Sequence, residues 1–238
     1  SADDDRVTIR EQLDLLRHYR PGETHTQGEI LGGVNSQPSG KDRDGNFVGA
    51  LLDHFEQAGT SYTDRLGREQ VGPDPDKPIF AYCGFEFPHT PVLPPKEFRE
   101  VFSSFKYKIP EFTEEELAAF PKQLMKLFQN SGTDHFSDKE KHQMIADYYA
   151  FCAYGDSLVG QAVDGFIELS ESQNRPWLIL YVCGDHGWRL NDHGMVAKFS
   201  HYDTDLHNPI IVASSNKTAF PSGKVVEEFT TFLDIAPT

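Results

Sequence analysis

The residues best suited to chemistry crowd into one stretch, CGDHGWRLNDHGMVAKFSHYDTDLHNP, residues 183–209. It opens where an apolar run ends in Asp185 and His186, followed by Gly187. A carboxylate oxygen beside an imidazole nitrogen suits a hard or borderline divalent cation. The same pair reads as readily as a turn-capping aspartate next to a hydrogen-bonded histidine, so the residues alone leave both roles open. Lys198, further along the loop, could set an ammonium against an anionic substrate. His193, His201 and His207 are, taken singly, ordinary structural or surface histidines, and a zinc site built from the histidines of this loop is a more distant reading. A second loop, FPHTPVLPP, holds His89 between prolines. Imidazole serves well as an acid or base near neutrality, although an isolated loop histidine more often has no catalytic role.

Both loops need elements to hold them. KPIFAYCGF, residues 77–85, is a short apolar run of the kind expected for a buried strand. The prolines that follow it forbid further strand or helix and force an extended loop. RPWLILYVCGD predicts a second buried strand and NPIIVAS a third. A long helix is predicted from about Ser137, which forms a capping box with Glu140. Met144, Tyr148, Cys152, Val159, Val163 and Phe166 then share one face. Strands alternating with helices predict an α/β fold with a mostly parallel sheet sandwiched by helices. Sites in such sheets form at the carboxyl ends of strands, where the PHTP and GDHGW loops both sit. Upstream, TIREQLDLLRHYR predicts a short amphipathic helix, residues 21–46 a glycine-rich loop, and GNFVGALLDHFEQAG a helix closed by Gly59. The last residues, TTFLDIAPT, read as an apolar helix just begun, so the domain is expected to continue beyond them.

Composition excludes several classes. The chain of 238 residues is 38% hydrophobic and 12% aromatic, enough for the packed core of one α/β domain or a large part of one. A net charge of -15 argues against nucleic acid and anionic membrane surfaces, both of which need clustered Lys and Arg. A small anionic substrate stays open, because a bound cation can dominate the field inside a cleft. No apolar run approaches the roughly 20 residues that span a bilayer. Cys83, Cys152 and Cys183 form no disulfide framework or metal spacing and are expected as buried thiols. Asn216-Lys217-Thr218 is a glycosylation triplet of a kind common by chance.

Four motifs, in order, give a resemblance. KPIFAYCGFEFPHTPVLPPKEF, DYYAFCAYGDSLVGQAVDGFIEL, CGDHGWRLNDHGMVAKF and LHNPIIVAS with FLDIAPT resemble successive segments of the type I, formylglycine-dependent sulfatases of the alkaline-phosphatase superfamily. The Asp-His-Gly-Trp opening, the later His-Gly and the Ala-Lys before an aromatic are most like the iduronate-2-sulfatase branch. The resemblance covers residues 62–238, with 1–60 poorly matched and all of 1–238 taken as part of one catalytic domain. It implies that Asp185 and His186 are ligands of a divalent metal, calcium (Ca2+) in this family. It further implies that Lys198 contacts a sulfate oxygen, that His89 is the general acid at the leaving group, and that His193 lines the pocket. The substrate implied is a small sulfated compound, of carbohydrate type in this branch, and the compartment lysosomal, secreted or periplasmic. A phosphodiesterase or phosphonate monoester hydrolase of the same superfamily, or a non-catalytic binding relative, are the competing readings.

Other family features are not written here. None of the three cysteines is followed by x-Pro-Ser-Arg, the context of the formylglycine nucleophile. Ser36-Gln37-Pro38-Ser39 continues into Gly40-Lys41 rather than arginine, and Asp3-Asp4-Asp5 opens a polar terminus where the family's metal-binding Asp pair ends an apolar strand. The intact ligands that remain favour a piece of a longer catalytic domain, completed by a preceding portion, over a degenerate relative.

Overall fold

The computed structural model describes residues 14–18 and 29–235. Strand β1 (Leu16–Arg17) pairs antiparallel with β2 (Ile30–Gly32). The helix expected over residues 8–20 is therefore replaced by a strand at its described end. Burial alternates there, with Leu16 and His18 inside, so period two overrides the helical spacing. Most of that segment, the Asp3–Asp5 run and the last three residues lie outside the described residues. Helix α1 (Arg43–Glu56) forms as the sequence predicts: Asp42 accepts from the Gly45 amide at 2.8 Å, and Gly59 turns the chain at φ +74. A hairpin of β3 (Ser61–Thr63) and β4 (Glu69–Val71) follows.

Residues 77–85 correct the next expectation. They run without ladder partners among the described residues, and Phe80 and Tyr82 are 92% and 86% exposed. Short helices α2 (Lys96–Phe102), α3 (Glu114–Ala118) and α4 (Lys122–Ser131) lead to α5 (Asp138–Ser172). Helix α5 starts at the predicted capping box of Ser137 and Glu140 and is the scaffold of the molecule. It is apolar on two faces. Met144, Tyr154, Leu158 and Ala162 are its fully buried stripe, the last three in a cluster with Val48 of α1, and Phe98 of α2 packs edge-on to Tyr154. Of the predicted stripe, Met144 is fully buried, while Tyr148, Cys152, Val159, Val163 and Phe166 are half-buried, with Tyr148 stacked on Trp188 and Phe166 against Phe55 of α1. The three thiols are likewise half-buried, and burial pushes that of Cys152 up to about 11.

Strand β5 (Leu178–Val182) pairs with β8 (Ile210–Ser214), and β6 (Arg189–Leu190) with β7 (Val196–Ala197). All four ladders among the described residues are two-stranded and antiparallel. The mostly parallel sheet is thus not formed among them. The link over residues 183–209 is long enough for a parallel crossover, but it folds into a small hairpin and the four-residue α6 (Asp203–Leu206), and β8 pairs with β5 in the opposite direction. No helix of the described residues is long and apolar enough to cross a membrane.

Asp147 ties the layers together. Its side chain is buried in α5 and accepts from the Gly33 amide at 2.9 Å and from Arg99 Nε at 2.7 Å. Burial pushes this carboxyl up, while the Arg99 guanidinium and the Gly33 amide pull it back. Arg99 also reaches Asp14 at 2.8 Å. Removing one partner of such a pair strands a buried charge, whereas a conservative change keeps it compensated. Arg99→Ala is expected to lower unfolding free energy by about 3–5 kcal/mol, measured by urea titration, and Arg99→Lys by clearly less.

Candidate active site

The chemically suggestive loop begins where β5 ends. The Cys183 amide continues the ladder to the Pro209 carbonyl at 3.0 Å, and Asp185 and His186 then leave the strand at its carboxyl end. Asp185 Oδ1 and His186 Nε2 lie 3.4 Å apart. His186 Nδ1 donates to the Gly187 carbonyl at 2.8 Å, which fixes the proton on that nitrogen and leaves Nε2 as the lone-pair face. The Asp185 side chain is 88% exposed. Two donors at this separation fit one cation bound at about 2.0–2.6 Å. They would be only part of a ligand set: among the described residues no group of three His, Cys, Asp or Glu side chains could hold a metal.

Glycines let the loop fold back on itself. Gly187 donates to the Asp205 carbonyl at 2.8 Å, and a Cβ there would stand 1.8 Å from the Thr204 carbonyl oxygen. The β6–β7 turn is braced from outside the loop. Asn191, at φ +83, accepts from the Thr133 hydroxyl and donates to the Pro110 carbonyl at 2.8 Å. His193, at φ +55, bonds Glu116 through Nδ1 and stacks on Tyr202 with ring centres 3.7 Å apart.

Lys198 follows β7 and sits between two residues with left-handed backbone, Ala197 at φ +68 and Phe199 at φ +80. Among the described residues its ammonium makes no ion pair; it lies 5.5 Å from the centre of the Phe199 ring. Beneath it, Arg189 and Asp205 form a fully buried pair. Burial pulls the guanidinium below its usual value, and the Asp205 carboxylate opposes that.

His89 is exposed on the other loop, where its Nδ1 donates to the Thr90 carbonyl at 2.7 Å and Nε2 makes no hydrogen bond among the described residues. Asp44 of α1 shapes the approach to it by accepting from the Glu86 and Phe87 amides at 3.1 and 3.0 Å. His89, Asp42, Asp44, Glu86 and Tyr154 line an open cleft of about 200 Å³. The structure thus brings Asp185 and His186 together and carries Lys198 and His193 on the same loop. Among the described residues no hydrogen bond or ion pair joins His89 to any of these four. Arg189, Asp205, Asp44 and Glu116 escaped the sequence reading, because nothing in local spacing marks a partner 16 or 77 residues away.

Comparison with known proteins adds a separate line of observation. Residues 46–238 match the family model described as Sulfatase. The chain is similar to a sulfatase of Formosa agariphila, 24% identical over 166 residues, covering 68% of this chain and 32% of the relative. It is similar to iduronate 2-sulfatase of Homo sapiens, 26% identical over 160 residues, covering 60% of this chain and 28% of the relative. Arylsulfatase K of Canis lupus familiaris is 30% identical over 108 residues, covering 44% and 20%. The chain therefore spans about a third or less of the length of these relatives.

The close approach at Gly187 makes its own prediction. Gly187→Ala must push the Thr204 backbone away and is expected to destabilise the protein by about 1–3 kcal/mol, read by chemical denaturation; an unchanged midpoint would mean the loop has slack.

Proposed function

The chain belongs to the sulfatase family, and from that premise we propose that its site takes part in hydrolysis of a sulfate monoester. The observation that carries this reading is the convergence of Asp185 Oδ1 and His186 Nε2 at one strand end, on a loop that also presents Lys198. Asp185 and His186 would hold a divalent metal, calcium by the habit of the family. Bound there, the metal supplies charge neutralisation for sulfate oxygens. Lys198 donates to a sulfate oxygen and stabilises the charge that builds as sulfur is attacked. His89, whose Nδ1 donates to the Thr90 carbonyl, would act through its doubly protonated form, giving the Nε2 proton to the departing alcohol oxygen, which is a poor leaving group as an alkoxide. His193, fixed by Glu116 and Tyr202, forms part of the pocket wall.

Two ligands fall short of a calcium shell of six to eight oxygens, and no cysteine here stands in the formylglycine context. We assign the nucleophile and the remaining ligands to a preceding portion of the same family domain, in keeping with relatives about three times longer than the matched stretch. The exposed apolar run at Phe80 and Tyr82 suits a strand that such a portion would cover. A sulfated carbohydrate is the proposed substrate, in line with the branch of the family that the GDHGW loop resembles.

Three measurements on the full-length gene product follow. It should hydrolyse an aryl sulfate faster than an aryl phosphate diester; the reverse order would move the assignment to phosphodiester chemistry. Chelation should abolish that activity and added calcium restore it, while Lys198→Ala should lower kcat/KM by about 10²–10³-fold.

A further inference from the structure

We propose that the buried Arg189–Asp205 ion pair positions Lys198, fixing the backbone from which its ammonium meets the substrate; this rests on the role given to Lys198 above. Arg189 is 0% and Asp205 2% exposed. Nearly every polar atom of the pair is spent on the segment that carries the lysine. Arg189 Nη2 donates to the carbonyl of Lys198 itself at 2.7 Å, and Nε to the carbonyl of Ala197 at 3.2 Å and to Asp205 Oδ1 at 3.1 Å. Nη1 meets the Met195 sulfur at 3.1 Å, and Asp205 Oδ2 accepts from the Ser200 amide at 2.7 Å. One ion pair thus grips residues 195, 197, 198 and 200.

What it grips is strained. Ala197 and Phe199 both hold a left-handed backbone that L side chains disfavour, and neither is glycine. Such residues persist only where the surroundings over-determine them. Packing of the Phe199 side chain cannot supply that constraint, because it is 78% exposed. The guanidinium and carboxylate can, through the carbonyls and the amide on either side. A buried ion pair is in itself poor support for stability, since well-packed apolar residues often serve as well. Its retention directly under Lys198 is accounted for by geometry.

The test is a double-mutant cycle in the full-length protein, with kcat and KM measured separately on an aryl sulfate. Arg189→Ala with Asp205→Ala removes both charges together, so neither is left orphaned, and melting temperature reports folding. The pair variant is expected to lower kcat about ten- to a hundredfold, with KM less affected, while changing kcat by less than about twofold in a Lys198→Ala background. Equal losses in both backgrounds, or none in either, would overturn the positioning role. If Lys198→Ala by itself leaves kcat unchanged, the sulfate contact assigned to Lys198 fails first, and the positioning role falls with it. Should the pair variant not fold, Asp205→Asn carries the same cycle. It keeps one acceptor for Arg189, loses the one for the Ser200 amide, and should lose kcat only where Lys198 is present.

Discussion

A carboxylate removed from water must be met by donors, and Asp147 imposes that requirement at the centre of the long helix. It draws in the Gly33 amide from 114 residues away and the Arg99 guanidinium from 48 away. The β1–β2 ladder, helix α2 and helix α5 are thereby locked at one point, with Gly32 so close that a Cβ would lie 2.6 Å from the carboxylate. The two apolar faces of α5 then find their partners in turn. One takes α1 and the loop leading to His89, and the other meets Trp188 of the loop that carries Asp185 and His186. The scaffold of both candidate loops is a single helix whose orientation a buried ion pair sets.

The second loop repeats this logic on a smaller scale. Residues 183–209 contain only two short strands, a 3-10 turn and a four-residue helix, too little regular structure to hold side chains in place. Polar groups take over: Thr133 and the Pro110 carbonyl hold Asn191, Glu116 holds His193, and Arg189 with Asp205 holds the backbone around Lys198. An arrangement of this sort fixes side chains closely while leaving Asp185 and the face of His186 accessible. That combination is what a site needs if it must present fixed charges to a small anion.

Much of this was legible in the residues. The Ser137 capping box marked the start of α5, and Gly59 marked the turn beyond α1, because both signals are local. The strands at 178–182 and 210–214 were legible as apolar runs, and the Asp-His pair fell at the end of the first. Strand direction was not legible, since an apolar run does not say which neighbour it will pair with. The run at 77–85 looked like a buried strand from its composition, yet among the described residues it has no ladder to join. Leu16–Arg17 belonged to a helical pattern but was claimed by pairing with Ile30–Gly32. The braces of the site were silent for the same reason: they depend on contacts between residues far apart in the chain.

The most direct test of the account is a crystal structure of the full-length protein grown with calcium and inorganic sulfate. One cation is expected on Asp185 and His186 Nε2 at about 2.0–2.6 Å, with Lys198 Nζ on an oxygen of a sulfate beside it. Asp185 and His186 facing solvent without a cation, in a protein whose remaining ligands are in place, would contradict it.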